Sequence, residues 1–102
     1  MTTDNILEIF IDIDGRLCIK PERNRFTGIY RSAVEINWEK TGLYLYTPPP
    51  REWTYLQWYK HVIQTILSED NCYLKVTDRT KWISIPQDLR DHISNLNKGD
   101  FT

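Results

Sequence analysis

The sequence predicts an α+β domain: an antiparallel sheet built from three hairpins in the order ββββαββα, with one long helix packed on one face and a short C-terminal helix. Three observations predict it. Apolar residues alternate with period two in the stretches 6–12, 30–38 and 72–85, the pattern of half-buried strands. Each stretch adjoins a cluster of turn-forming residues, and a single helical periodicity occupies 54–68. A chain of 102 residues is expected to form one domain, 1–102, with a single core.

In residues 6–12, Leu7, Ile9 and Ile11 are expected on one face and Glu8, Phe10 and Asp12 on the other. A three-residue loop of Ile13, Asp14 and Gly15, with Gly15 left-handed, sets Asp12 against Arg16, Ile11 against Leu17, Ile9 against Ile19 and Glu8 against Lys20. Moving the loop by one residue places Glu8 against Glu22 and strips Asp12 of its basic neighbour, so the first register is preferred. In residues 30–38, Tyr30, Val34, Ile36 and Trp38 share a face, and the turn Glu39-Lys40-Thr41-Gly42 pairs Trp38 with Leu43 and Ile36 with Leu45. TPPP at 47–50 then ends the sheet, and Thr54-x-x-Gln57 has the form of a capping box. The helix it opens carries Leu56, Tyr59, Ile63, Ile66 and Leu67 at helical spacing, widened by Trp58 and Val62. A third hairpin aligns Cys72, Leu74 and Val76 with Ile83 and Ile85 across the Asp78–Lys81 turn, leaving Tyr73, Lys75 and Trp82 on the other face. Pro86 enters the last helix, Leu89, Ile93 and Leu96 form its apolar edge, and Gly99 ends it. The termini and residues 21–28 are expected to be the mobile parts.

Composition narrows the function classes. With 40% hydrophobic and 26% charged residues the chain is an ordinary globular mixture, which excludes wholesale disorder. Thirteen basic against fourteen acidic residues give no global field to attract a nucleic-acid backbone. The run KPERNRFTGIYR, with Lys20, Arg23, Arg25 and Arg31 around Phe26 and Tyr30, is therefore read as a solvated loop before it is read as an anion or nucleic-acid contact. No apolar run is long enough to span a bilayer, and MTTDNILE lacks the basic start and apolar segment of a signal peptide, so a cytoplasmic protein without membrane contact is expected. Cys18 and Cys72 are expected as isolated reduced thiols, and neither they nor His61 and His92 fall into a metal-binding spacing; no metal or cofactor is expected.

Residues 9–17, IFIDIDGRL, pose the sharpest chemical question. The Asp12-Ile13-Asp14-Gly15 segment resembles the Asp-x-Asp-Gly-Thr motif of haloacid dehalogenase-type phosphatases, which would make Asp12 a nucleophile and Asp14 its proton-transfer partner. The resemblance covers nine residues; Arg16 stands where that family has Thr or Val, and no further acids and Lys complete a phosphate site. The hairpin register accounts for the same residues without chemistry.

Two functional readings remain. Thirteen aromatic residues exceed what a small core hides. The face opposite the long helix is expected to collect Phe10, Tyr44, Tyr46, Tyr73 and Trp82 with Arg31 among paired charges, the composition of a protein interface. On that reading the protein is a small soluble non-enzymatic protein-binding module of bacterial type, a neutralising or accessory partner of another protein or a homodimer. The alternative is a small-ligand pocket, with or without catalysis, between the long helix and the sheet, lined by Trp38, Trp53, Trp58, Tyr59 and His61.

Overall fold

The computed structural model describes residues 2–31 and 35–96. Val34 and Gly99, expected in the second hairpin and at the end of the last helix, lie outside the described residues. The elements are β1 (Thr2–Ile11), β2 (Leu17–Pro21), a 3-10 turn (Ile29–Arg31), β3 (Asn37–Glu39), β4 (Tyr44–Tyr46), α1 (Tyr55–Asp70), β5 (Cys72–Lys75), β6 (Lys81–Ile83) and α2 (Gln87–Leu96). The class is α+β, as the sequence predicts, but the sheet is mixed. β3, β4, β2 and β1 lie side by side with antiparallel pairing, whereas β5 and β6 both run parallel to β1 along its other edge.

The first hairpin has the expected register: Ile11 faces Leu17, Ile9 faces Ile19 and Glu8 faces Lys20. Asp12 Oδ2 accepts from Arg16 Nε at 2.7 Å, and Gly15 takes φ +81°. An added Cβ at Gly15 would meet only ordinary contacts at 3.7 and 3.8 Å, so the backbone angle alone demands glycine. Gly15→Ala is expected to cost about 1 kcal/mol by denaturant unfolding. Farther along β1 the register slips between Ile6 and Glu8, making Leu7 an extra, bulged residue. The bulge turns Ile6 inward and leaves Leu7 38% exposed, which corrects the expectation that Leu7 shares the core face with Ile9 and Ile11.

The second hairpin is shorter than expected and differently registered. Tyr30 belongs to the 3-10 turn, and Trp38 faces Leu45 where Leu43 was expected. The turn closes one step later because Leu43 adopts φ 60° and donates its N–H to Glu39 O at 2.9 Å, while the Glu39 carboxylate accepts from Thr41 N. Residues 72–85 depart most. They form no hairpin: β5 follows the first half of β1, with Thr2 beside Cys72, and β6 the second half, with Ile9 beside Trp82. Between them, Thr77–Thr80 folds into a turn that keeps the chain direction. Thr80 Oγ1 accepts from Thr77 N at 2.9 Å and donates to Ile6 O at 2.6 Å, filling the break in the ladder opposite the bulge.

These registers align one continuous apolar row, Trp82–Ile9–Ile19–Leu45–Trp38, across five strands on the core face. α1 supplies Trp58, Tyr59, Val62, Ile63 and Ile66 to the same core, and α2 adds Leu89, Ile93 and Leu96. The capping box forms as expected, Gln57 N donating to Thr54 Oγ1 and Thr54 N to Gln57 Oε1. Asn71, left-handed at φ 53°, ends α1 and turns the chain into β5. Within the 21–28 loop Phe26 is buried against Trp38, and Asp4 accepts hydrogen bonds from Arg23 N, Asn24 N and Asn24 Nδ2.

Candidate functional site

The reverse face of the sheet follows from the same registers. Residues one step out of phase with the core row form a second row, Ile83–Phe10–Cys18–Tyr46–Asn37. Beside it, Lys81, Glu8 and Lys20 align as a charged row. Cys18 is the small, fully buried centre of the aromatic row. Phe10 and Tyr44 meet edge to face at 5.0 Å, Tyr44 and Tyr46 at 6.3 Å, and the Arg16 guanidinium lies 4.6 Å from the Tyr46 ring centre. Ile83 is 48% exposed.

The face thus brings together Phe10, Tyr44 and Tyr46 but not the rest of the expected set. Trp82 is in register with Ile9, on the core side, where Arg90 stacks on it at 5.3 Å. A hairpin would have turned Trp82 outward; parallel pairing to β1 turns it inward. Arg31 sits in the 3-10 turn and stacks on Tyr30, while Tyr73, on β5, packs half-buried against the core. Arg16 and Ile83 complete the observed face. The Asp12–Arg16 pairing already placed Arg16 at this end of the sheet, but nothing local in the sequence signals the Leu7 bulge or the position of Ile83.

Burial and then the Asp12 charge push the Cys18 thiol up to about 12, so it stays protonated at neutral pH and is no nucleophile. Burial would raise the Asp12 carboxyl, yet the Arg16 amide and guanidinium and the Asp14 amide outweigh it, and the net shift is downward. Asp12 Oδ1 accepts from Asp14 N at 3.0 Å and Arg16 N at 2.9 Å, and Oδ2 holds the Arg16 Nε. β1 does have parallel neighbours, contrary to expectation, but the Asp12 carboxylate is engaged by its own turn and not presented to a phosphoryl group.

The residues expected to line a pocket separate. Trp38 and Tyr59 belong to the closed core. Tyr59 Oη has no hydrogen-bond partner among the described residues, and burial, with the neighbouring Tyr73 phenol, pushes its ionisation up. A buried hydroxyl without a partner carries its desolvation cost uncompensated, so Tyr59→Phe is expected to stabilise the fold by about 1 kcal/mol in a denaturant titration. Trp53, Trp58 and His61 do gather, with ring centres 4.8 Å apart for the Trp pair and 5.1 and 5.8 Å from each to His61. The two indoles line an open cleft of about 520 Å³ with Glu35, Pro48, Pro49, Arg51 and Glu52. Glu35 holds φ 71°, a left-handed conformation costing on the order of 1 kcal/mol in a non-glycine residue. Among the described residues no group of three or more His, Cys, Asp or Glu could hold a metal ion, and no helix is long and apolar enough to cross a membrane.

Comparison with known proteins gives two matches. Residues 4–80 match the family described as Integron Cassette Protein Hfx_Cass5. A solved structure of Integron Cassette Protein Hfx_Cass5, from the mobile metagenome of North West Arm Sewage Outfall, is 31% identical, covering 97% of this chain and 99% of that chain, with a TM-score of 0.49. No curated protein matches the chain.

Proposed function

The chain belongs to the Hfx_Cass5 family of integron cassette proteins, and from its geometry we propose a non-enzymatic binding module that docks a protein on the reverse face of its sheet. The observation that carries this reading is the Ile83–Phe10–Cys18–Tyr46 row, an aromatic and aliphatic strip lying across four strands and left partly exposed. Aromatic anchors with an adjacent Arg and a charged border are the composition that interfaces favour. α2 packs against α1, and Trp53 stacks on α1, so both make contacts on the helix side of the sheet. The simplest partner is a second copy. The row Lys81–Glu8–Lys20 alternates in sign and becomes complementary to itself when two faces meet displaced by one strand. A neutralising or accessory role toward another protein is the wider form of the same reading, in a cytoplasmic setting that two buried free thiols support.

The test is light scattering on the eluting protein, with Tyr46→Ala and Ile83→Lys as variants. A dimer is expected that both changes dissociate without altering the circular dichroism spectrum. A wild-type monomer at its highest soluble concentration overturns self-association. Loss of helix or strand signal in the variants would show these side chains acting within the fold. A second reading, a small-ligand site, is favoured by the Trp53–Trp58 cleft.

A further inference from the structure

The chemistry of the cleft narrows the ligand class, and this inference rests on the small-ligand reading just given. A volume of about 520 Å³ lies within the usual range for small-molecule sites. Its walls divide into two indoles, two prolines, two carboxylates and one guanidinium. Pro48 and Pro49 have no backbone N–H to offer, so this wall provides no cradle of donors for a phosphate or other anion. Glu35 and Glu52 against Arg51 leave the charged lining at two negative to one positive, a net charge of −1. Both acids are exposed, whereas Trp58 is 6% exposed, which gives the site a buried aromatic floor and an acidic rim.

Indole faces carry the negative end of the ring quadrupole and attract cations that shed their water readily. Divalent metal ions hold their water tightly, and among the described residues no group of three or more acids, His or Cys gathers to replace it. An alkylated ammonium group fits both halves of the lining: its methyl groups pack on Trp53, Trp58 and the prolines, and its diffuse charge faces Glu35 and Glu52. Trp53, at 42% exposed, supplies apolar surface that such a ligand would cover. We infer that the Trp53–Trp58 cleft is a binding site for a small organic ammonium cation.

Indole fluorescence and calorimetric titration with choline, set against its neutral isostere 3,3-dimethylbutan-1-ol at constant ionic strength, tests this. Choline is expected to bind at least about tenfold more tightly than the neutral alcohol. Trp53→Ala should weaken choline by a similar factor, and the double change Glu35→Gln with Glu52→Gln should weaken choline while leaving the alcohol unaffected. Equal binding of the two ligands overturns the cation inference and leaves the small-ligand reading standing. Binding of neither overturns both. The two acids lie at the surface, so an unchanged unfolding curve is expected for the double Gln variant, while Trp53→Ala, which loses its stacking on Trp58 and His61, is expected to keep the wild-type circular dichroism spectrum.

Discussion

Replacing Asp4 by Asn is expected to destabilise the protein by roughly 3 kcal/mol, among the largest single effects available in this fold, because its carboxylate is a buried hub of charge-assisted hydrogen bonds. The side chain is fully buried and accepts from Asn5 N at 2.9 Å, Arg23 N at 3.1 Å, Asn24 N at 2.8 Å and Asn24 Nδ2 at 3.0 Å. An amide in its place turns an NH₂ toward donors that already point inward, leaving N–H groups of the 21–28 loop unpaired. Burial alone would raise the Asp4 carboxyl; the hydrogen bonds from Asn24, Arg23 and Asn5 outweigh it, and the net shift is downward. A carboxyl whose folded pKa lies below its unfolded value contributes stability above the unfolded value, near 3.8, and loses it as the pH falls through the folded one. Denaturant midpoints measured from pH 7 to pH 3 should therefore fall for the wild type at the acid end. The fall should be shallower in Asp4→Asn, with the remaining slope owed to Asp12, whose carboxyl is shifted the same way. A variant as stable as wild type at pH 7, or with an undiminished acid slope, would contradict this role.

Thr80→Val should cost about 2–3 kcal/mol at nearly constant side-chain volume. The hydroxyl is buried and serves two backbone groups at once, receiving Thr77 N and donating to Ile6 O. Valine leaves the inward carbonyl of the β1 bulge and the Thr77 amide without those partners. Thr80→Ser, which keeps the hydroxyl, should recover most of the loss in the same chemical denaturation experiment. If valine is tolerated and serine is the destabilised variant, the stabilisation comes from the methyl group and not from the hydrogen bonds.

What the sequence discloses here divides by chain distance. The Asp12–Arg16 hairpin is legible because a glycine, two acid–base pairs and two apolar pairs all fix one register within fifteen residues. The capping box of α1 is legible for the same reason. The β1 bulge is not, since Ile6 and Leu7 are both aliphatic and either satisfies the alternation. Residues 72–85 mislead because two strands lying end to end on a third strand produce the same alternation as two strands paired with each other. That ambiguity carried Trp82 to the wrong face. The candidate sites inherit the division: Phe10, Tyr44 and Tyr46 follow from parity within hairpins, and Trp58 and His61 from helical spacing. Arg51, Glu35 and Glu52 join the cleft only through the path of the chain around the proline segment.

The placement of β5 and β6 on β1 also sets a time order for folding. The β1–β2 hairpin can close in microseconds from contacts a few residues apart. The other edge of β1 must wait until residues beyond α1 return, with Thr80 meeting Ile6 across 74 positions of chain. During that interval ILEIFI, residues 6–11, presents an open strand edge whose only charge is Glu8. Interactions formed early govern the folding rate and those formed late govern the unfolding rate. Gly15 substitutions should therefore slow folding, whereas loss of the Thr80 hydroxyl should mainly hasten unfolding. The strand that organises the finished sheet is thus the last to have both of its edges occupied.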